Sequence, residues 1–281
     1  MLNSKKATGR ERLAAGDTVR IYFSEDTLEK FRKSAEDSGK REISAMNPEW
    51  VLYEDDHLIA LNKPAGVLSQ GNDSADVSVA DYLKSYLPAG DGLFSPGPAN
   101  RLDRNTSGII LAGKDNASAR ELSELIRGRN LKKFYLALAL GEIDRPARVG
   151  GTLVKDHATN TVRVTGKSLK NVPGGIRIET AYRPIRTEKL GYTVTLLEVE
   201  LITGRPHQIR AHLSSLGHPL IGDPRYGDEK VNRFFRKQFG LSRQFLHAAR
   251  IEFPQMDGIL REDSGLVIRS ELPADLARIL H

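Results

Sequence analysis

The sequence contains no cysteine among its 281 residues. This absence excludes disulfides, thiol nucleophiles, iron–sulfur clusters and thiolate zinc sites, and it is consistent with a reducing compartment. No apolar run approaches the roughly 20 residues that a membrane-spanning helix needs, and the N-terminus has no secretory pattern. Neither type of Gly-rich nucleotide-binding loop is present, and no repeat recurs at a fixed period. We therefore expect a cytoplasmic protein that does not associate with membranes.

The excess of positive charge is moderate. The formal net charge is +6, with 39% hydrophobic and 28% charged residues. These fractions are ordinary for a globular protein, and a chain of this length can bury a substantial core. The charge is compatible with a polyanionic partner but is too small to identify one.

Changes in composition divide the chain into three regions. Residues 1–23 are short and basic, and they are too few to enclose a core of their own. Residues 24–48 are rich in charge and are interpreted as a linker. Residues 49–281 carry regular apolar patterns and are expected to form one large domain.

Apolar periodicity predicts alternating strands and helices in this large region. Ser78 and Asp115 are expected to cap two helices. A third helix is predicted over residues 206–216, with Pro206 at its first position and a buried stripe of Ile209, Leu213 and Leu216. Strands are predicted at residues 151–154, 161–164, 176–182 and 192–202.

The eight residues from Arg101 to Gly108 suggest a tight loop that leads into a buried strand. Asp103 lies between two arginines, and two interpretations of it compete. It is either part of a surface ion pair in a capped turn or a reactive carboxylate in an arginine-rich cleft. If the third helix presents Arg210 to this loop, the guanidinium would keep Asp103 ionised, although a purely structural ion pair has the same charge pattern.

Two further patterns could bind a ligand. Tyr135 shares a predicted strand face with two alanines, which fits ordinary packing but also leaves room for a flat ligand. Lys132 and Lys133 end a basic segment that suits either phosphate contacts or a solvated loop. His207 and His212 are five residues apart, about 140° around a helix, so they cannot share one face as a zinc-binding pair does. No metal site is expected.

The order of these features resembles the RluA family of RNA pseudouridine synthases. The resemblance rests on five ordered motifs within about residues 50–255, with Asn100 where the family usually has His. These motifs are Lys63-Pro64-Ala65-Gly66, Arg101-Leu102-Asp103 with Thr106-Ser107-Gly108, Lys133-Phe134-Tyr135-Leu136-Ala137, Thr203 to His212 followed by Gly217-His218-Pro219 and Gly222-Asp223, and Leu246-His247-Ala248.

The resemblance implies an α+β pseudouridine synthase fold, with a mixed, mostly antiparallel sheet, flanking helices and a central cleft. It implies isomerisation of specific uridines to pseudouridine, which needs no cofactor, and RNA as the partner, with ribosomal RNA expected and a monomer favoured. The catalytic residues implied are Asp103, Tyr135 and Arg210. Asp103 would be the catalytic carboxylate, acting as a nucleophile or as a base, with Arg210 as its partner. Tyr135 would stack on the uracil and could accept a proton at the end of the reaction. The substrate-binding residues implied are Arg101, Leu246, Lys132, Lys133, Arg205 and His207.

Other functions remain open from the sequence alone. A family member that acts on tRNA would carry the same motifs. A base-excising hydrolase would use a similar carboxylate, and a non-catalytic RNA-binding protein would keep the basic patches without needing Asp103 or Tyr135. Residues 1–23 resemble the closing strands of the αL RNA-binding motif. The helical half of that motif does not precede these strands in the sequence, so either the sequence starts within the motif or the motif has decayed. We therefore do not expect this piece to bind RNA independently.

Overall fold

The structure is a computed structural model, and it describes residues 1–8, 11–29, 47–71, 76–87, 94–156, 161–165 and 173–280. The chain divides into two compact units, Met1–Glu42 and Ile43–His281. In the first unit, Leu2 forms single β-bridges with Lys5 and Val19. Most of the predicted linker lies outside the described residues, so the three-region division remains a prediction.

The second unit is built on a mixed ten-stranded sheet. Its order is β1-β2-β3-β9-β4-β8-β7-β5-β6, with β10 paired to β9. Among the strand pairs of the described segments, β3 and β9 are parallel and the others are antiparallel. The strands are β1 (Val51–Glu54), β2 (Leu58–Lys63), β3 (Ser107–Gly113), β4 (Lys132–Leu140), β5 (Ala147–Asp156), β6 (Thr161–Thr165), β7 (Ile176–Lys189), β8 (Thr193–Leu201), β9 (Leu246–Glu252) and β10 (Val267–Arg269). The predicted mostly antiparallel α+β fold is confirmed.

Helices pack on both faces of this sheet. None of the helices in the described residues is long and apolar enough to cross a membrane. Numbered within the second unit, the helices are α1 (Val79–Tyr86), α2 (Asn116–Arg127), α3 (Gln208–Ser215), α4 (Glu229–Phe239) and α5 (Ala274–Ala277).

The predicted helix caps are confirmed. Ser78 and Asp81 form a reciprocal capping box at the start of α1, and Asp115 and Ser118 form another at α2. Each box satisfies backbone N–H groups that a helix start leaves without an intrahelical partner.

Strand β4 separates two apolar layers. Tyr135 and its two alanine neighbours face a core shared with α1 and α3, where Leu83 and Ile209 are buried. Leu138 faces the other side and packs with Phe235 of α4. The alternation predicted for this strand is therefore confirmed, and it places Tyr135 on the α3 side of the sheet.

The predicted helix over residues 206–216 is too long at both ends. It begins at Gln208, because His207 adopts a left-handed backbone with φ of 54°, and Pro206 lies outside it. It ends at Ser215, so Leu216 lies past the end and is 40% exposed, contrary to the predicted stripe. Arg210 is buried, as are all the residues of this helix from Gln208 to Leu213.

Two strands are several residues longer than predicted, and one of them is β5, which runs from Ala147 to Asp156 where residues 151–154 were expected. Strand β7 continues beyond Tyr182 to Lys189. A register shift between Pro184 and Arg186 accommodates the proline, which cannot donate to the ladder. Sequence patterns end a strand at such a proline, whereas the bulge allows the pairing to resume.

A buried polar contact ties β1 to the 3-10 turn Arg261–Asp263. The hydroxyl of Tyr53 lies 2.8 Å from Asp55 Oδ2 and 2.9 Å from Asp263 Oδ1. One phenol proton satisfies one ionised carboxylate, so the two carboxyl groups are fully satisfied only when the second one carries a proton of its own. Burial, with hydrogen bonding to Asp55 and the charge of Asp55, raises the pKa of Asp263 to about 6.

This raised pKa makes stability depend on pH. The contribution of Asp263 is fully present below its unfolded pKa and is lost as the pH rises through about 6. Asparagine cannot titrate, so the variant Asp263→Asn does not lose this contribution. We expect the unfolding free energy of the variant, relative to that of the wild type, to rise by about 1–2 kcal/mol as the pH goes from about 4.5 to about 8. Urea unfolding across this range measures the difference. Glu262→Gln, at the exposed neighbouring position, should show none. If the difference in unfolding free energy between Asp263→Asn and the wild type stays constant with pH, the pKa of Asp263 is not raised.

Candidate active site

The loop that carries Asp103 is fixed by backbone hydrogen bonds. The Thr106 amide donates to the Asp103 carbonyl at 2.9 Å and closes a turn. The preceding residue, Leu102, is buried, and its amide and carbonyl both bond the hydroxyl of Ser69 at 2.9 Å. The side chain of Asp103 remains 23% exposed at this fixed turn.

Arg210 of α3 contacts Asp103, as the charge pattern suggested. Its Nη1 donates to Asp103 Oδ2 at 2.8 Å. Its Nε and Nη2 donate to the two oxygens of Asp223 at 2.7 and 2.9 Å. Burial opposes the charge, but hydrogen bonds and charge from Asp223, and then from Asp103, raise the pKa of Arg210 above its ordinary value. The guanidinium is a permanent cation shared by two carboxylates.

Asp223 was missed as a site residue in the sequence. Its side chain is fully buried, and it also accepts the amides of Arg225 and Tyr226. Burial opposes ionisation, yet the bonds from Arg210 hold the pKa of Asp223 below its usual range. The only signal was the Gly222-Asp223 pair after α3, which indicates a turn as readily as a carboxylate that orients an arginine.

Lys63, at the end of β2, is a second buried cation beside the Asp103 loop. It is fully buried, and its Nζ donates to the carbonyls of Pro64, Val67 and Arg104 at 2.8–3.0 Å. Three acceptors match the three N–H donors of an ammonium group. Burial and the charge of Arg243 lower the pKa of Lys63 to about 7, while Asp103 opposes that shift. Sequence analysis gave this lysine no role.

Tyr135 lies in the apolar part of the site. It is 5% exposed and belongs to the same buried cluster as Leu102 and Leu246. Burial, followed by the charge of Asp103, raises the pKa of its hydroxyl, so Tyr135 is a neutral phenol at pH 7. The structure therefore brings together three of the predicted residues, Asp103, Tyr135 and Arg210, with Leu246 beside the tyrosine.

His207 stands at the start of α3 near Asp103. Its Nδ1 lies 2.9 Å from the hydroxyl of Tyr226, which also accepts the Val162 amide at 3.0 Å. Burial lowers the pKa of His207, with Asp103 opposing, so the ring is neutral at pH 7. Arg205, two residues earlier, is exposed and donates its backbone amide to Gln208.

The two predicted phosphate-binding lysines point to opposite faces of β4. Lys133 lies two residues before Tyr135, on the same face of β4, toward α3. Its Nζ is close to Gly204, at 3.7 Å from the position that a Cβ on this glycine would take. Burial lowers the pKa of Lys133. Lys132 is exposed on the other face, and Arg101 is exposed on the loop before Asp103.

The remaining polar clusters are structural in geometry. The hydroxyl of Ser107 lies 2.9 Å from Nδ1 of His247, but both residues are almost completely buried, so this pair has no access for a substrate. His212 bonds the hydroxyl of Thr180 at 3.0 Å, away from His207. Within the segments that the structure describes, no three His, Asp or Glu side chains form a metal-binding group.

Known proteins are similar to this chain in sequence. A family model described as RNA pseudouridylate synthase matches residues 57–215. A protein named ribosomal large subunit pseudouridine synthase C from Vibrio vulnificus is 37% identical over 90% of this chain and 75% of its own length. The protein of the same name from Escherichia coli K12 is 32% identical over 98% of this chain and 81% of its own length.

Two human structures share the fold at lower identity. RNA pseudouridylate synthase domain containing 4 superposes with a TM-score of 0.64 at 22% identity and covers 89% of this chain and 97% of its own. RNA pseudouridylate synthase domain containing 1 gives a TM-score of 0.59 at 22% identity and covers 85% and 96%. At this identity the likeness concerns the fold alone.

Gly108 fixes where the Asp103 loop enters the sheet. Its φ is 113°, and an added Cβ would lie 2.3 Å from the carbonyl oxygen of Ala248 on β9. We expect Gly108→Ala to lower the unfolding free energy by about 2 kcal/mol or more through backbone strain and overpacking. Urea unfolding measures the loss. At Gly97 a Cβ meets nothing within 4 Å, so Gly97→Ala should change stability little. Equal effects of both substitutions would contradict this account.

Proposed function

The chain belongs to the RluA family of RNA pseudouridine synthases, and from this premise we propose that it isomerises uridines of large-subunit ribosomal RNA, with Asp103 as the catalytic carboxylate. Support for the ribosomal substrate comes from the names of relatives that align with 90–98% of this chain. The observation that carries the catalytic role is the contact between Asp103 and Arg210 at 2.8 Å in a half-buried loop.

The reaction moves the ribose from one atom of the uracil ring to another. The bond from C1′ to N1 breaks, a bond from C1′ to C5 forms, C5 loses its proton and N1 gains one. No electron or group is needed from outside, so protein side chains suffice for the chemistry. An ionised carboxylate is required whether Asp103 attacks C1′ as a nucleophile or removes the proton on C2′ as a base.

The contacts of Asp103 suit either role. Arg210 occupies Oδ2, and Oδ1 has no hydrogen-bond partner within the described segments. The proposed reactive atom is therefore Oδ1, on a carboxylate that the Arg210 guanidinium orients. Because Arg210 is itself held by Asp223 through two bonds, its position does not depend on Asp103.

Neutral side chains are proposed to bind the base. We assign Tyr135 to stacking on the uracil, because its raised pKa keeps it a phenol, which is a weak proton acceptor. Leu246 closes the apolar side of the pocket. Arg101, exposed beside the catalytic residue, would enter the gap left by the flipped base and offset part of the few kcal/mol of unstacking.

A second group of residues is proposed to hold the RNA backbone. Lys133 and Arg205 supply positive charge near Gly204, and the neutral ring of His207 can donate a hydrogen bond. All of these groups come from one chain, so a monomer suffices for the proposed activity. A cytoplasmic location is proposed with it, since ribosomal RNA is the substrate.

The catalytic assignment is tested by Asp103→Asn. The amide removes the ionised oxygen with little change in shape, so we expect RNA binding within about threefold of the wild type and no detectable pseudouridine. The assay uses an in vitro transcript of large-subunit ribosomal RNA labelled with tritium at uracil C5, because bond formation at C5 releases the label. Asp257→Asn, at an exposed position, serves as the control.

Three outcomes discriminate the alternatives. Normal turnover by Asp103→Asn would remove this residue from the mechanism. Free uracil in the medium would identify a base-excising hydrolase in place of an isomerase. Turnover on a tRNA transcript but none on the ribosomal transcript would redirect the substrate assignment to tRNA.

The face on which each lysine lies predicts different effects on RNA affinity. Lys133→Ala should weaken binding of the ribosomal transcript and reduce the slope of log Kd against log salt by about 1, as expected for one lost phosphate contact. Lys132→Ala, on the other face of β4, should change both quantities less. Filter binding between 50 and 300 mM KCl, roughly the range in which counterion release is resolved, measures them. A larger effect at Lys132 would reverse the assignment.

A further inference from the structure

Arg243 is a third buried cation beside the Asp103 loop. Its side chain is 7% exposed, and it lies in the segment just before β9. Its Nε and Nη2 donate to the two oxygens of Asp275 in α5, at 2.6 and 3.0 Å. Its Nη1 donates to the carbonyl of Asn105 at 3.2 Å, and Nη2 also reaches the hydroxyl of Ser107 at 3.3 Å.

We propose that Asp275, acting through Arg243, is a positioning residue for the isomerisation. The pair forms a clamp that connects the C-terminal helix α5 to the backbone of the catalytic loop. This inference rests on the proposed catalytic role of Asp103. Both residues of the clamp lie outside residues 57–215, the part that the family model matches.

The clamp acts on the residues that set the position of Asp103. The Asp103 carbonyl accepts the Thr106 amide, so residues 103–106 form one turn. Arg243 holds Asn105 inside this turn, and its neighbour Gln244 donates to the Thr106 hydroxyl at 3.1 Å. A turn held at two successive residues cannot rotate without breaking buried hydrogen bonds.

Lys63 holds the same turn from its other side, through the Arg104 carbonyl. Two buried cations therefore bind successive carbonyls, and Arg243 lowers the pKa of Lys63, after the effect of burial. The carboxylate of Asp275 balances the guanidinium that would otherwise face Lys63 without compensation. Removing the carboxylate would leave the buried guanidinium of Arg243 without its counter-charge, which favours movement of that guanidinium toward water.

The position of Asp275 allows its effect on the catalytic turn to be tested without unfolding the protein. Its side chain is 42% exposed, so an amide at this position can be hydrated. Leu276 and Ile279 anchor the C-terminal segment in the core independently of the carboxylate. Loss of the charge should therefore loosen the catalytic turn more than it unfolds the protein.

Arg210 and Arg243 bind the Asp103 loop with the same geometry, but Arg210 binds a side chain and Arg243 binds the backbone. Each places Nε and Nη2 on one carboxylate in a two-bond fork and keeps contacts for the catalytic loop. Arg210 holds the reacting side chain, whereas Arg243 holds the backbone that carries it. Arg243 and Asp275 therefore act on geometry and should affect turnover more than RNA binding.

The test compares Asp275→Asn, Arg243→Lys and the double variant on the tritiated ribosomal transcript. Misplacement of the carboxylate should lower kcat about tenfold or more, with KM within about twofold of the wild type. Because each single change breaks the same fork, the double variant should lose little more than either one. Asp275→Glu keeps the charge and should recover part of kcat. Glu271→Gln, an exposed acid in the same segment, is the control.

Hydrogen exchange of the Thr106 amide provides a readout that needs no activity. We expect faster exchange at this amide in Asp275→Asn than in the wild type, while amides of β3 keep their rates. Unchanged kcat and unchanged Thr106 exchange in folded Asp275→Asn would overturn the proposal, as would additive losses in the double variant. A wild type that forms no pseudouridine in the transcript would refute the ribosomal function instead, and the exchange rates would still decide for or against the clamp.

Discussion

Buried cations hold the loop that carries Asp103. Lys63, Arg210 and Arg243 are all buried, and all three contact residues between Asp103 and Ser107. Removing such a charge from water costs several kcal/mol unless nearby groups compensate it. Here backbone carbonyls accept the donors of Lys63, and carboxylates accept those of Arg210. Arg243 donates to both kinds of acceptor. The cost and the compensation are both large, so any displacement of the loop leaves a buried charge without its partners.

The sheet topology brings these cations to one place. Because β3 and β9 are parallel, both strands begin at the same edge of the sheet. The segments that lead into them carry Asp103 and Arg243, so these two residues reach that edge together. Strand β2 runs antiparallel to β3, and Lys63 at its end is paired with Gly108 at the start of β3. The close approach of Gly108 to β9 keeps this parallel contact tight. The local geometry of the site is therefore a consequence of strand order.

Sequence reasoning succeeded where the signal was local or paired with a motif. The caps at Ser78 and Asp115, the alternation around Tyr135 and the partnership of Asp103 with Arg210 were all predicted. The Arg243–Asp275 fork was not, because it joins residues 32 positions apart through tertiary packing. Lys63 and Arg104 are 41 positions apart and meet only through strand pairing. Such contacts have no periodicity that a single sequence can display.

The positive charges around Asp103 fall into two physical classes. Lys63, Arg210 and Arg243 are buried with their partners, so added salt should screen them little and their loss should change geometry. The cations proposed to bind RNA, Arg101, Lys133 and Arg205, have no ion-pair partner within the segments described here. Such charges attract phosphates and are screened by salt. A modest net charge of +6 is therefore consistent with RNA binding, because what matters is which cations remain uncompensated near the carboxylate.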